Sequence, residues 1–274
     1  MAVVETDKWL KDYIKKKGKL RVEQRRQQKE QICEKLIPYF QDASSADIHQ
    51  HLLYHGLFLP GSQDKELIES LIHSNCWNII EEGFAKLKKE WDGPDVPVFI
   101  FPSDLQNKKL QADFNGLSGL SYQDKVFLFA AGNNTKEELQ KLLTHEYNHV
   151  CRLHYLDKRE DKIELLDSIV LEGLAEMAVQ ERLGKDHLAK WASIYDANTA
   201  QKYFKRWLEP NLTLPKKDRR HHDLLYGEGF IPRWAGYNVG FHIVSSYMKN
   251  KQKRIKGTLH VPAETIYADS DFSS

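Results

Sequence analysis

The sequence predicts an α+β protein that is mostly helical, and three observations carry that prediction. Apolar residues recur at helical spacing through most of the 274 residues. Only two short runs are rich in strand formers: Val96, Val98, Phe99, Ile100 and Phe101, then Val126, Phe127, Leu128 and Phe129. The second run stands just before a helical stretch that carries His145-Glu146-Tyr147-Asn148-His149. A small antiparallel or mixed sheet is therefore expected ahead of that helix, and a helical C-terminal part after it.

Taken in order, residues 7–40 read as helix, with Trp9, Leu10, Tyr13, Ile14, Ile32, Leu36 and Ile37 among many Lys, Arg and Gln, and with Gly18 as the break. The charged run 21–30 includes Glu23, Glu30 and several glutamines, which makes it a solvated helix face rather than a nucleic-acid surface. Residues 44–47 form a turn into a short helix with His49, His51 and His55. His51 and His55 have ligand spacing, but no glutamate stands between them at the catalytic position, so they read as surface or packing histidines. After Pro60-Gly61-Ser62 a long helix is expected over 63–91, ended by Asp92-Gly93-Pro94. Between the two strand runs, Gly116, Gly119 and Ser121 mark a bent strand or loop.

The motif helix begins with Thr135 and Glu138 in the form of a capping box, and continues with Leu139, Leu142, Leu143, Val150 and Leu153 at helical spacing. His145 and His149, four apart on one helix face, can converge on a single ion, and Glu146 projects beside it, placed to take a proton from water. Two neutral imidazoles binding zinc usually have a third protein ligand, with one position left open. Glu172 is the candidate, on a second helix whose stripe reads Leu165, Ile169, Glu172, Ala175, Glu176 and Val179. Two carboxylates on an apolar face are costly without partners. The cost is offset if Glu172 binds metal and Glu176 accepts a hydrogen bond from a ligand imidazole. Gly173 is expected to let this helix approach the motif helix closely. Cys151 reads as a buried core thiol.

A charged connection, 157–161, links these two helices, and Gly184 stops the second. A further helical stretch holds Leu188, Trp191, Ile194, Tyr195, Tyr203, Phe204, Trp207 and Leu208. Residues 210–223 are polar and basic and read as an exposed loop in which His221 and His222 point to different sides. The segment 226–240 leads into an apolar helix with Phe241, Ile243, Val244 and Tyr247. The tail 249–274 is charged, then small and polar, and is expected to be disordered at its end.

Forty basic against thirty-nine acidic residues leave a formal charge of +1, which offers no global attraction to nucleic acid. The first ten residues lack the apolar run of a secretory signal, and no apolar segment elsewhere reaches bilayer length. Three cysteines are too few for a disulfide framework. These features predict a cytoplasmic protein with no membrane or nucleic-acid partner.

His145-Glu146-x-x-His149 followed by Glu172-Gly173-Leu174-Ala175-Glu176 resembles the gluzincin metallopeptidases, although Leu171 stands where their pattern usually has Asn. Residues from about 70 to 260 resemble the bacterial YjaZ-like family of zinc-dependent proteases, a group whose name is itself a prediction of activity. The resemblance implies a zincin-like metallopeptidase domain over 70–260, preceded by an N-terminal helical region, 1–69, and followed by the tail, 261–274. It also implies zinc held by His145, His149 and Glu172, with Glu146 as general base and a peptide or protein as substrate. Residues 115–122 are either a sheet edge that pairs with an extended substrate or an ordinary hairpin connection. Tyr237-x-x-Gly240 resembles the place where several gluzincins present a tyrosine to the developing oxyanion; the alternative is a buried structural tyrosine. Two rival readings stand beside the peptidase: a zinc-binding protein without turnover, and a helical interaction protein whose motif is accidental.

Overall fold

A computed structural model describes residues 2–158 and 162–273. In chain order its elements are α1 (Thr6–Lys16), α2 (Arg21–Gln28), α3 (Glu34–Leu36), α4 (Ser45–Tyr54), α5 (Asp64–His73), α6 (Cys76–Trp91), β1 (Val98–Pro102), α7 (Lys108–Phe114), β2 (Ser118–Ser121), β3 (Val126–Ala130), α8 (Lys136–Leu156), α9 (Leu165–Leu183), α10 (Ala197–Tyr203), α11 (Arg219–Tyr226), α12 (Ala235–Asn250) and α13 (Ala263–Ala268). The protein is thus mostly helical α+β, and its described residues hold one small mixed sheet placed directly before α8.

The contacts divide the chain into two compact units, Met1–Lys89 with Asp95–Glu146, and Glu90–Pro94 with Tyr147–Ser274. In the first, the sheet order is β1-β3-β2, with β1 parallel and β2 antiparallel to the central β3. Every residue of β1 and β3 is buried, as their continuous apolar runs require. The pleat sorts their side chains. Phe99, Phe101, Phe127 and Phe129 face a core built with Leu10 and Tyr13 of α1 and Ile48 and Leu52 of α4. In β2, Leu120 lies opposite Phe127 and joins that core, so Gly119 and Ser121 face the other way.

Gly18 separates α1 from α2 as expected, and Glu23 reaches back to the Leu20 N–H to cap the second helix. The single helix expected over 63–91 is instead two, α5 and α6. Asn75 adopts the left-handed φ of 60°, and the Ser74 N–H and hydroxyl both return to the Leu71 carbonyl, so the break satisfies its own helix end. The short α7 carries too few apolar residues to show a period. It starts where the Asn107 side chain accepts the Leu110 N–H and ends at Asn115 and Gly116, both at positive φ.

In the second unit, α9 and α12 cross backbone against backbone. A Cβ added to Gly173 would lie 2.2 Å from the Gly240 carbonyl oxygen, and one added to Gly240 would lie 2.0 Å from that of Ile169. Gly173 therefore serves the approach of α12. This corrects the expectation that it serves the motif helix. Gly184 ends α9 at φ 95°. The loop expected over 210–223 gives way to α11 at Arg219, capped by Asp218, and His221 is buried there. The polar tail folds as well. Arg152 donates to the Leu259 and Val261 carbonyls, α13 follows, and Ile266 and Phe272 are buried. Of the charged connection expected at 157–161, Arg159, Glu160 and Asp161 lie outside the described residues.

Candidate metal centre

The helix that the motif needs is started by the expected cap. Glu138 Oε2 accepts the Thr135 N–H at 2.9 Å, and Thr135 Oγ1 accepts the Glu138 N–H at 3.2 Å. Leu139, Leu143 and Val150 are buried along α8 and fix its rotation, which sets the direction of His145 and His149. One ligand atom each from His145, His149 and Glu172 lies within 4.8 Å of the others. His149 Nε2 and Glu172 Oε2 are 3.6 Å apart. Two ligands of a tetrahedral zinc, each about 2.1 Å from the ion, sit about 3.4 Å from one another, so this spacing suits a shared cation. Two imidazole nitrogens and a carboxylate oxygen are also a donor set that zinc accepts. His149 is nearly buried, and His145 and Glu172 are half-buried.

Glu146 is 8% exposed and turns toward β2. The Ser121 hydroxyl lies 2.6 Å from Glu146 Oε2 and 2.9 Å from the Glu146 carbonyl oxygen. Gly119 leaves the space that the carboxyl group occupies, since a Cβ there would fall 2.2 Å from Glu146 Cδ. The sequence marks these two β2 residues as part of a bent strand or loop and of the candidate edge 115–122, not as partners of Glu146. The signal that a contact exists is their shared parity in a strand, which becomes informative only once the register is known.

Glu176 is 1% exposed, and its Oε1 accepts the Ala189 N–H. Tyr237 lies in the first turn of α12, buried among the rings of Trp191, Tyr226 and Trp234 at 5.0–5.2 Å between centroids. It stands one turn before Gly240, whose carbonyl meets Gly173, the neighbour of Glu172. Asn238 beside it donates to the carbonyls of Trp191, Ala192 and Tyr195 and so holds the 191–195 segment to α12. Cys151 is buried, and burial pushes its thiol up to about 12, which makes it a protonated core residue. His51 and His55 pack near β2, with His51 Nε2 2.6 Å from the Tyr122 hydroxyl. Residues 118–121 form an outer strand of the sheet, and the connection to β3 follows them.

The chain is 34% identical over 269 residues to the uncharacterized protein YjaZ of Bacillus subtilis (strain 168), covering 97% of this chain and 98% of that one. It is 27% identical over 175 residues to the uncharacterized protein YjfC of the same organism, covering 60% of this chain and 56% of the relative. No solved structure is matched at a significant level. The family model described as "Predicted Zn-dependent protease (DUF2268)" matches residues 76–268, a span that contains the sheet, α8, α9 and α12. With that match and the near full-length relative, the chain belongs to the predicted Zn-dependent protease family DUF2268.

Proposed function

We propose that this protein is a zinc-dependent peptidase that hydrolyses peptide bonds with Glu146 as general base. The observation that carries the reading is the convergence of His145, His149 and Glu172, with Glu146 next to His145 on α8. Zinc bound by these three residues supplies a Lewis acid and makes water available as a nucleophile near neutral pH. Glu146 takes a proton from the water that attacks the scissile carbonyl and passes a proton to the departing amine. Tyr237 donates its hydroxyl proton toward the oxygen that gains charge. Glu176, already engaged through Oε1 with Ala189, orients a ligand imidazole with its other oxygen. β2, at the edge of the sheet, offers backbone hydrogen bonds to an extended peptide, so that affinity comes from the main chain and selectivity from side chains. The substrate is a cytoplasmic peptide or protein.

Metal content and peptide turnover, measured in parallel on the wild type, Glu172→Ala and Glu146→Gln, test the reading. About one zinc per wild-type chain is expected, with loss of metal and turnover in Glu172→Ala. Glu146→Gln should keep the metal while turnover falls by about a hundredfold or more. A zinc-loaded wild type that cleaves no member of a peptide library would leave metal binding without turnover as the function. A wild type that takes up no zinc after reconstitution would overturn the metal centre itself.

A further inference from the structure

We infer that β2 seats the general base: Ser121 is a positioning residue for Glu146, and Gly119 is the clearance that lets the carboxylate lie against the strand. The role of the seat rests on the peptidase reading above. The contact itself does not.

A glutamate on a helix has three side-chain torsions, and a base must hold one geometry to be useful. Both oxygens that Ser121 addresses belong to Glu146, at 2.6 Å for Oε2 and 2.9 Å for the carbonyl. The hydroxyl has one proton, and an ionised carboxylate can only accept, so the shorter contact is a Ser121 O–H donated to Oε2. The carbonyl oxygen of the same residue, at 2.9 Å, takes the minor share of that one proton in a bifurcated contact, so the hydroxyl registers the side chain against its own helix turn.

The strand that bears this hydroxyl is fastened from its other face. Ser118 Oγ donates to the His55 carbonyl at 2.7 Å, and the Tyr122 hydroxyl lies 2.6 Å from His51 Nε2. Leu120 and Tyr122 pack against the phenylalanine core, and Ser121 pairs with Val126 in the ladder. Ser121 therefore presents its hydroxyl from a fixed support. Opposite Oε2, the missing side chain at position 119 matters, since a Cβ there would approach Cδ to 2.2 Å and Oε1 to 2.3 Å and displace the carboxyl group. The alternation of the strand puts both residues on the face toward Glu146, so one edge strand can pair with substrate along its backbone and hold the base with its side chains.

The test uses zinc-loaded full-length protein and the best-cleaved member of a quenched-fluorescent peptide library. Ser121→Ala should keep the wild-type zinc content and a KM within about twofold, while kcat falls about 10- to 100-fold. Ser121→Thr, which keeps the hydroxyl and suits a strand, should return kcat to within about threefold of wild type. Gly119→Ala should lower kcat in the same way with the metal retained. Wild-type kcat in Ser121→Ala, or a threonine variant as slow as the alanine one, overturns the inference. A second readout needs no turnover. In metal-free protein, the urea midpoints of Ser121→Ala, Glu146→Ala and the double variant should be non-additive, the double shifting less than the sum of the singles. Additive shifts overturn the inference even in an active enzyme. A zinc-loaded wild type without turnover overturns the peptidase reading alone, and this cycle then decides whether Ser121 holds Glu146.

Discussion

On the proposed reading a single carboxylate, Glu146, separates metal binding from turnover, and the same residue-scale logic applies to other buried groups. Glutamine keeps the shape of Glu146 but not its charge or its capacity to take a proton, so the expected loss of turnover with retained zinc in Glu146→Gln separates the role of the carboxylate from packing. His221 makes a similar case for stability. It is buried against Ser168, with Oγ 3.1 Å from its Nε2, and burial is the largest cause that lowers its affinity for protons. A histidine that prefers neutrality in the folded state is protonated more readily in the unfolded chain once the pH drops below the ordinary value of 6.5. Its contribution is present above that pH and lost as the pH falls below it. His49, lowered by burial and then by Lys29 and Arg25, acts in the same direction. The urea midpoint of metal-free protein should therefore fall between pH 7.5 and 5.5, and His221→Gln should show a smaller fall. An unchanged pH dependence in that variant would remove His221 from the account.

At the scale of elements, the position of Glu172 depends on a helix crossing. Gly173 and Gly240 allow α9 and α12 to meet through their backbones, and neither tolerates a methyl group without moving a carbonyl. Gly173→Ala should destabilise the protein by about 2 kcal/mol or more, read as a lower denaturant midpoint at unchanged slope. Because Glu172 precedes Gly173, zinc affinity should weaken as well. Gly184→Ala is a useful contrast. It carries strain from φ 95°, but a Cβ there meets nothing within 4 Å, so its cost should leave zinc affinity untouched. Equal zinc affinity in Gly173→Ala and wild type would show that the crossing does not set the ligand geometry.

For the molecule as a whole, metal binding should appear as stability. An ion that binds the folded chain raises its unfolding midpoint by mass action. Chelation should therefore lower the midpoint of the wild type and leave that of Glu172→Ala nearly unchanged. An equal response in both would mean that the stabilising metal sits elsewhere. Among the described residues no helix is long and apolar enough to cross a membrane. The near-balanced charge of +1 supplies no net attraction to a polyanion.

The sequence alone determined the features written in local periodicity and spacing. The Thr135 cap, the α8 stripe, the two imidazoles on one face and the apolar strands are all set within a few residues of chain, where helix and strand geometry leave little choice. Glu172 was legible because two carboxylates on an apolar stripe need partners. The break at Asn75 was hidden because a left-handed residue between two apolar helices does not disturb their composition. The fold of the tail was hidden because the carbonyls of Leu259 and Val261 find their donor at Arg152, more than a hundred residues away. Only tertiary structure decided that Gly173 meets α12 and that Ser121 meets Glu146. Those contacts depend on the crossing of two helices and on the register of a strand, and nothing local in the chain encodes either.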